Sequence, residues 1–287
     1  MYEDYYGFSE NPFGLTTDPK YHFRSASHAS AFELVQYALG RREGFVAITG
    51  QIGTGKTTLC RAILERADRT VVAALVLDPL VSDEELLRVI LQQFGLVSRD
   101  QVRRGQLASA TKAAMIDTIR AFLLSLQPLG AHALLVIDDA QDLPPARLAQ
   151  IRALSSVEGQ NETLLQVVLA SRTNLRDALS GSGRTRPHRF ISTRCELKPL
   201  SRDETSAYIS HRLAVAGGAG VSFSRGAVAA VHGCTLGVPR LVNALCGRSL
   251  FNAYEDRTNR VLSCHVDGAA ESLDLARPGR LLLAWAR

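Results

Sequence analysis

The sequence has no long apolar run. Its longest unbroken apolar stretches, such as "VVAALVL" (Val71–Leu77), are about seven residues, where a membrane-spanning helix needs about 20. No bilayer-crossing segment is therefore expected. The N-terminus, "MYEDYYGF", has no basic segment followed by an apolar stretch, so no signal peptide is expected and the chain reads as cytoplasmic. The five cysteines (Cys60, Cys195, Cys234, Cys246, Cys264) show no CxxC spacing. An odd, scattered set points to reduced core thiols rather than disulfides or structural zinc. Internal repeats and low-complexity tracts are missing as well.

What is present is a globular composition. The chain has 287 residues, 46% of them apolar, enough for one large domain or two modest ones. Its net charge is +5, which permits contact with nucleic acid or anionic lipid without requiring it. The charge is uneven: from Arg172 to Arg194 there are six arginines (172, 176, 184, 186, 189, 194) and one acid, Asp177. Such a segment is either a solvated basic loop or a surface that meets phosphate, from nucleotide or from DNA.

Strand and helix patterns alternate through the first two thirds. Apolar runs at 45–49, 71–78, 133–139, 163–171 and 192–197 read as buried strands. Helical stretches are expected at 27–42, up to about Ala67, and over 82–95, 112–127 and "PARLAQIRALSS". Continuous apolar strands between helices predict a parallel sheet covered on both faces. From Ser201 onward only helical patterns follow, at 201–216, 224–233, 238–253 and 264–273. The expected organisation is an N-terminal arm (1–26), an α/β domain (27–198), a small all-helical domain (199–273) and a basic tail (274–287).

Between the first strand and its helix lies Gly50-Gln51-Ile52-Gly53-Thr54-Gly55-Lys56-Thr57, a match to GxxxxGK[ST] in the context that motif requires. Glycines let the backbone curl until successive N–H groups face an anion, and the helix N-terminus adds positive potential. Lys56 is expected to reach the β- and γ-phosphates, Thr57 to offer a hydroxyl to Mg²⁺, and Thr58 to complete the nucleotide-binding set.

"LLVIDDAQDL" (134–143) ends a buried strand in two carboxylates. Asp138 is expected at the tip of a strand neighbouring the phosphate-loop strand, on the metal side of a Mg²⁺–triphosphate. Asp139 is expected to polarise or orient the attacking water, unless it is a plain surface acid. Asp142 reads as an N-cap before "PPARL". Arginines stabilise charge on the transferring phosphoryl group, and Arg186, Arg189 and Arg240 are the candidates. Arg240 begins the helix in "GVPRLVN" and is expected to fold over the γ-phosphate.

Several segments in order carry a family resemblance: "MYEDYYGFSENPFGLTTDP", "GQIGTGKTTLCRAIL", "FGL" (94–96), "IDDAQDL", "LKPLSRDETSAYISHRL" with "AGG", and "GVPRLVNALC". Together they resemble the ExeA-type (general secretion pathway protein A-like) AAA+ ATPases over about residues 1–266. The resemblance implies an α/β P-loop ATPase domain followed by a helical lid. It implies ATP rather than GTP, in keeping with the lack of a suitably placed NKxD motif. It also implies assembly into a homo-oligomeric ring or helical filament, with ATP between subunits. Gly50–Thr57 would be Walker A, Asp138 Walker B, Arg189 the finger supplied in trans and Arg240 sensor 2. Ser171-Arg172 stands where the family has Gly-Gln, so sensor 1 is Ser171 or Asn174. His188 replaces a Gln, and Asp139 the usual Glu. A carboxylate one methylene shorter must sit closer to the water or act through a second water, so a slow ATPase is expected.

Longer secretion-type relatives continue into a membrane helix and a peptidoglycan-binding region. A chain that ends after the lid is expected to be less suited to envelope secretion. Related MuB-, TniB- and IstB-like proteins polymerise on duplex DNA and hand a target to a transposase, and the basic charge suits that alternative. The expected partner is thus a transposase with duplex DNA, or a secretion component.

Overall fold

The computed structural model describes residues 2–16, 18–98, 100, 110–157, 163–172, 190–218 and 220–275. Five parallel strands form the main sheet: β1 (Phe45–Gly50), β2 (Val71–Val76), β3 (His132–Ile137), β4 (Leu165–Ser171) and β5 (Thr193–Leu197). Their order is β2-β3-β4-β1-β5. Every residue of β3 and β4 is buried, as the uninterrupted apolar runs require of strands covered on both faces.

Alternate residues of each strand serve opposite layers. Phe45, Ala47, Leu135, Ile137, Val167 and Leu169 join the core formed with α4 (Asp83–Gln93), α5 (Lys112–Leu126) and α6 (Pro145–Ser155). Val46, Ile48, Leu134, Val136, Val168 and Ala170 join the core on the other face, with α2 (Ala26–Gly40) and α3 (Lys56–Glu65). The helix starts follow local chemistry. Ser82 caps α4 by accepting from the Glu85 N–H at 3.2 Å, and Thr111 caps α5 by accepting from Ala114.

The order corrects one expectation. The strand that ends at Asp138 does not neighbour the phosphate-loop strand, because β4 is inserted between β3 and β1. Asp142 also differs from expectation: α6 has Pro144 as its N-cap, and the Asp142 carboxylate instead accepts from Gln141 Nε2 at 2.9 Å. Two consecutive prolines fix the entry to α6 without a side-chain cap.

By their contacts, residues 1–26, Ile52–Gly55 and 198–287 group into one compact unit, and Ser27–Gln51 with Lys56–Leu197 into another. In the former, α7 (Arg202–Val215), α8 (Arg225–Thr235), α9 (Pro239–Glu255) and α10 (Ser263–Ser272) enclose a core that includes Leu213, Val231, Leu245, Leu250 and Val266. It is not wholly helical. β6 (Ser222–Phe223) pairs in parallel with β7 (Arg260–Val261), and two residues are too few to show a strand period.

The N-terminal segment opens with a short helix, α1 (Tyr2–Tyr6), and buries Tyr6, Phe8 and Phe13 in this same core. Buried Arg212 ties it down, donating to Pro12 O at 2.6 Å and Gly14 O at 2.7 Å with its guanidinium 4.3 Å from the Tyr21 ring centre. Gly237 has φ +74°, and a Cβ there would lie 1.9 Å from Leu200 O, so only glycine fits.

Candidate functional site

The C-terminal ends of β1, β4 and β3 lie side by side. Ligands of open α/β sheets bind outside these ends, where the chain direction switches. After β1 the chain turns through Gly53 (φ +81°) and Gly55 (φ +99°) into α3, which begins at Lys56. Lys56 is buried. Its ammonium donates to Gly50 O at 2.9 Å and Gln51 O at 3.0 Å. Burial lowers its proton affinity, against the opposing pull of Asp138 and Asp139. Thr54 is buried and Ile52 exposed. Thr57 Oγ1 donates to Asp138 Oδ2 in a short hydrogen bond that bridges the starts of α3 and of the turn after β3. Thr58, the next residue of α3, is half-buried.

Asp139 is left-handed (φ 48°, ψ 39°), a conformation that aspartate tolerates better than most residues. In a continuing strand, neighbouring side chains would point to opposite faces. The turn ends the strand, and both carboxylates then act on Lys56. Asp138 Oδ1 accepts the Asp139 N–H at 3.0 Å and so holds the turn. Asp139 Oδ1 accepts from Arg172 Nε at 3.0 Å and from Gln141 Nε2 at 3.1 Å. The Arg172 contact, first, holds the Asp139 carboxyl below its ordinary pKa, and Gln141 adds to the effect.

Arg172 was visible in the sequence only as one of a run of arginines. Its partnership with Asp139 needs the ends of β3 and β4 to be adjacent, which no spacing in the sequence announces. Ser171, the last residue of β4, is fully buried. Arg240 is the second residue of α9, and its N–H donates to Gly53 O at 3.2 Å. A Cβ on Gly53 would meet Arg240 Cβ at 2.6 Å, so this glycine has neither conformational nor spatial room for a side chain. Asn174, Arg186, His188 and Arg189 lie outside the described residues, as does the tail from 276.

The residues present fit a Mg²⁺–nucleotide. A hydroxyl and a carboxylate, both hard oxygen donors, face one another at the start of α3. Gly53, in the turn before them, has no room for a side chain, and Lys56 donates to two loop carbonyls with an ammonium that phosphate oxygens would also accept from.

Sheet order, phosphate loop and strand-end carboxylate define a P-loop nucleoside-triphosphatase of the AAA+ class. Residues 39–179 match the family model for the AAA domain. The chain thus carries an AAA domain over these residues and is similar to the ExeA-like AAA+ proteins. It is 33% identical over 271 residues to general secretion pathway protein A of Aeromonas hydrophila, covering 94% of this chain and 48% of that protein. The chain thus spans about half the length of the curated relative it matches. Solved structures share the fold. The ORC2 protein of Aeropyrum pernix has a TM-score of 0.66 at 17% identity, with 92% of this chain and 72% of that one covered. Cdc6p of Pyrobaculum aerophilum has 0.69 at 16%, covering 91% and 70%. The RuvB Holliday junction branch migration motor of Thermotoga maritima has 0.61 at 16%, covering 92% and 75%. Among the described residues, no helix is long and apolar enough to cross a membrane.

Proposed function

We propose that this chain is a slow, Mg²⁺-dependent ATPase whose nucleotide state controls self-assembly and the engagement of a partner. The observation that carries the reading is the Thr57–Asp138 contact beside a phosphate loop whose lysine is already held in place. Gly53 and Gly55 shape the loop, Gly50, Gln51, Ile52 and Thr54 complete it, and Thr58 continues the set into α3. Lys56 exchanges its two carbonyl partners for phosphate oxygens. Thr57 and Asp138 hold Mg²⁺, which when bound neutralises charge on the β- and γ-phosphates. Asp139 orients the attacking water. Arg240 on α9 and Arg189, from a neighbouring copy, are assigned to the charge that develops on the γ-phosphate.

Slow turnover follows from the short reach of Asp139. General-base geometry is sensitive at the ångström level, and an aspartate stops one methylene short of the family's glutamate. An assembly that persists in its ATP form suits such a site. The 33% identity to general secretion pathway protein A favours a secretion component as the partner.

Phosphate release by wild type and by Lys56→Ala, with and without EDTA, tests the reading. Turnover that survives either the substitution or the chelator overturns it. Sedimentation with ADP and with a non-hydrolysable ATP analogue tests the coupling to assembly, and the same distribution in both would overturn that half. The net charge of +5 supports a second reading, an ATP-gated binder of duplex DNA that serves a transposase. Phosphate contacts would give a steep salt dependence. No binding of non-specific duplex at low salt with ATP ends that reading.

A further inference from the structure

We propose that Arg172 is a latch on Asp139 that the terminal phosphate of a bound triphosphate releases. This rests on the reading of Asp139 as the residue that orients water. Arg172 directly follows β4, the strand inserted between the one carrying the phosphate loop and the one carrying the acids. It therefore stands between the nucleotide side of the site and Asp139. Its side chain holds Asp139 Oδ1 through Nε at 3.0 Å, and its backbone N–H donates to Gln141 Oε1 at 2.9 Å. Gln141 Nε2 returns to the same Asp139 oxygen at 3.1 Å. Asp139, Gln141 and Arg172 thus form a closed ring of hydrogen bonds, centred on one carboxylate oxygen. That oxygen already accepts two donors where a water would need to be received.

The ring can open. The side chains of Arg172 and Asp139 are 44% and 35% exposed, and the contact is a single N–H to oxygen rather than a bidentate fork. Exposed pairs of this kind are weak. A phosphoryl group offers the guanidinium a stronger, charge-assisted and potentially bidentate partner. Arg172 is also near enough to Lys56 to lower its affinity for a proton, so the two cations share one neighbourhood that an anion would enter. Lys56 sits in the loop and Arg172 beside the acid beyond the Thr57–Asp138 pair. The phosphate that competes for Arg172 is therefore the distal one, and a diphosphate leaves the latch closed.

Gln141 keeps its other contact, from Nε2 to Asp142 Oδ2 at 2.9 Å, when Arg172 leaves. Asp139 then stays in its turn, held by the Asp138 carboxylate, and its Oδ1 keeps the Gln141 donor but loses the Arg172 one, which opens one acceptor position without moving the backbone. Arg172 thus acts on Asp139 in the empty site and on the terminal phosphate in the filled one.

The test measures affinity for ADP and for a non-hydrolysable ATP analogue, together with kcat and KM, in wild type, Arg172→Ala, Arg172→Lys and Gln141→Ala. Losing one charge-assisted phosphate contact should weaken the triphosphate analogue about ten-fold in Arg172→Ala. ADP affinity should stay within about two-fold. Arg172→Lys should recover most of the triphosphate preference. Gln141→Ala should leave that preference intact. A turn clamp with no role in recognition would instead weaken both nucleotides equally or neither, and either result overturns the latch. If Arg172→Ala fails to fold, Arg172→Gln, which also removes the charge, takes its place, and an unchanged preference for the triphosphate analogue over ADP in that variant refutes the latch. Asp139→Asn with wild-type turnover would sink the reading of Asp139 itself, while the binding arms still report on Arg172.

Discussion

Replacing a glycine by alanine separates two costs that the structure assigns to different positions. Gly7 has φ +71°, and nothing lies within 4 Å of a Cβ built there. Gly7→Ala should therefore show backbone strain alone, about 1–2 kcal/mol for an L-residue held left-handed. Gly53 adds a clash to similar strain: its Cβ would lie 2.6 Å from Arg240 Cβ and 3.2 Å from Val238 Cγ1. Both neighbours are side-chain atoms with some freedom to shift, and overpacking of this kind costs about 1–3 kcal/mol. Gly53→Ala should thus lose about 2–5 kcal/mol in all. Gly237→Ala meets the backbone carbonyl of Leu200 at 1.9 Å, the segment whose N–H donates to Gly237 O at 2.9 Å. Neither group can move without breaking that link, so the loss should exceed about 5 kcal/mol or prevent folding. All three glycines lie in one compact unit, so one transition should report them. Urea denaturation followed by circular dichroism gives the order, and an unchanged slope confirms a common unfolded state. Nucleotide affinity supplies the second axis: Gly53→Ala should bind ATP weakly, and Gly7→Ala normally. A Gly53→Ala variant that unfolds with Gly7→Ala and keeps wild-type affinity would refute both the placement of this loop and the reason given for its glycine.

Asp139→Asn should lower kcat about 10²-fold or more, the usual worth of a positioned acid–base group, with nucleotide affinity preserved; wild-type turnover would remove Asp139 from the chemistry. Asp139→Glu should hold or raise kcat in the same assay. Arg212→Ala should strip Pro12 O and Gly14 O of a charged donor and free the N-terminal segment, so trypsin should cut near Lys20 in the variant sooner than in wild type. Equal digestion rates would count against that anchor. His211 is partly buried beside the Phe23 ring, and burial, with Arg212 adding to it, lowers its pKa below 6.5. The unfolded chain then binds the proton more readily than the folded one. This contribution to stability is complete above pH 6.5 and is lost as pH falls through the lowered folded value. Urea midpoints at pH 7.5 and 5.5 should drop less in His211→Gln than in wild type, and an equal drop would refute the assignment.

How far each part of the site could be read from the sequence depends on how local its cause is. Gly50–Thr57 is legible because every requirement is contiguous: a strand, glycines that permit φ +81° and +99°, and a helix start. The capped helix after Ser82 and the buried strand before Asp138 are legible for the same reason. The strand order is not, because each of β1, β3 and β4 reads as the same apolar run, and nothing in "LLQVVLAS" says that it inserts between the other two. That insertion decides the chemistry beyond the motif. It puts Arg172, eligible from composition only as part of a basic run, against Asp139 across the ends of two strands. The side chain of Arg172 then reaches the half-buried Asp139 carboxylate, Nε to Oδ1 at 3.0 Å. Asp139 and Arg172 are thus one feature in space although they are 33 residues apart in the chain. Exchanging both, as Asp139→Glu with Arg172→Gln, should raise kcat more than the product of the single changes, because each single variant keeps half of a matched pair. Strictly multiplicative effects would mean that the two residues act independently.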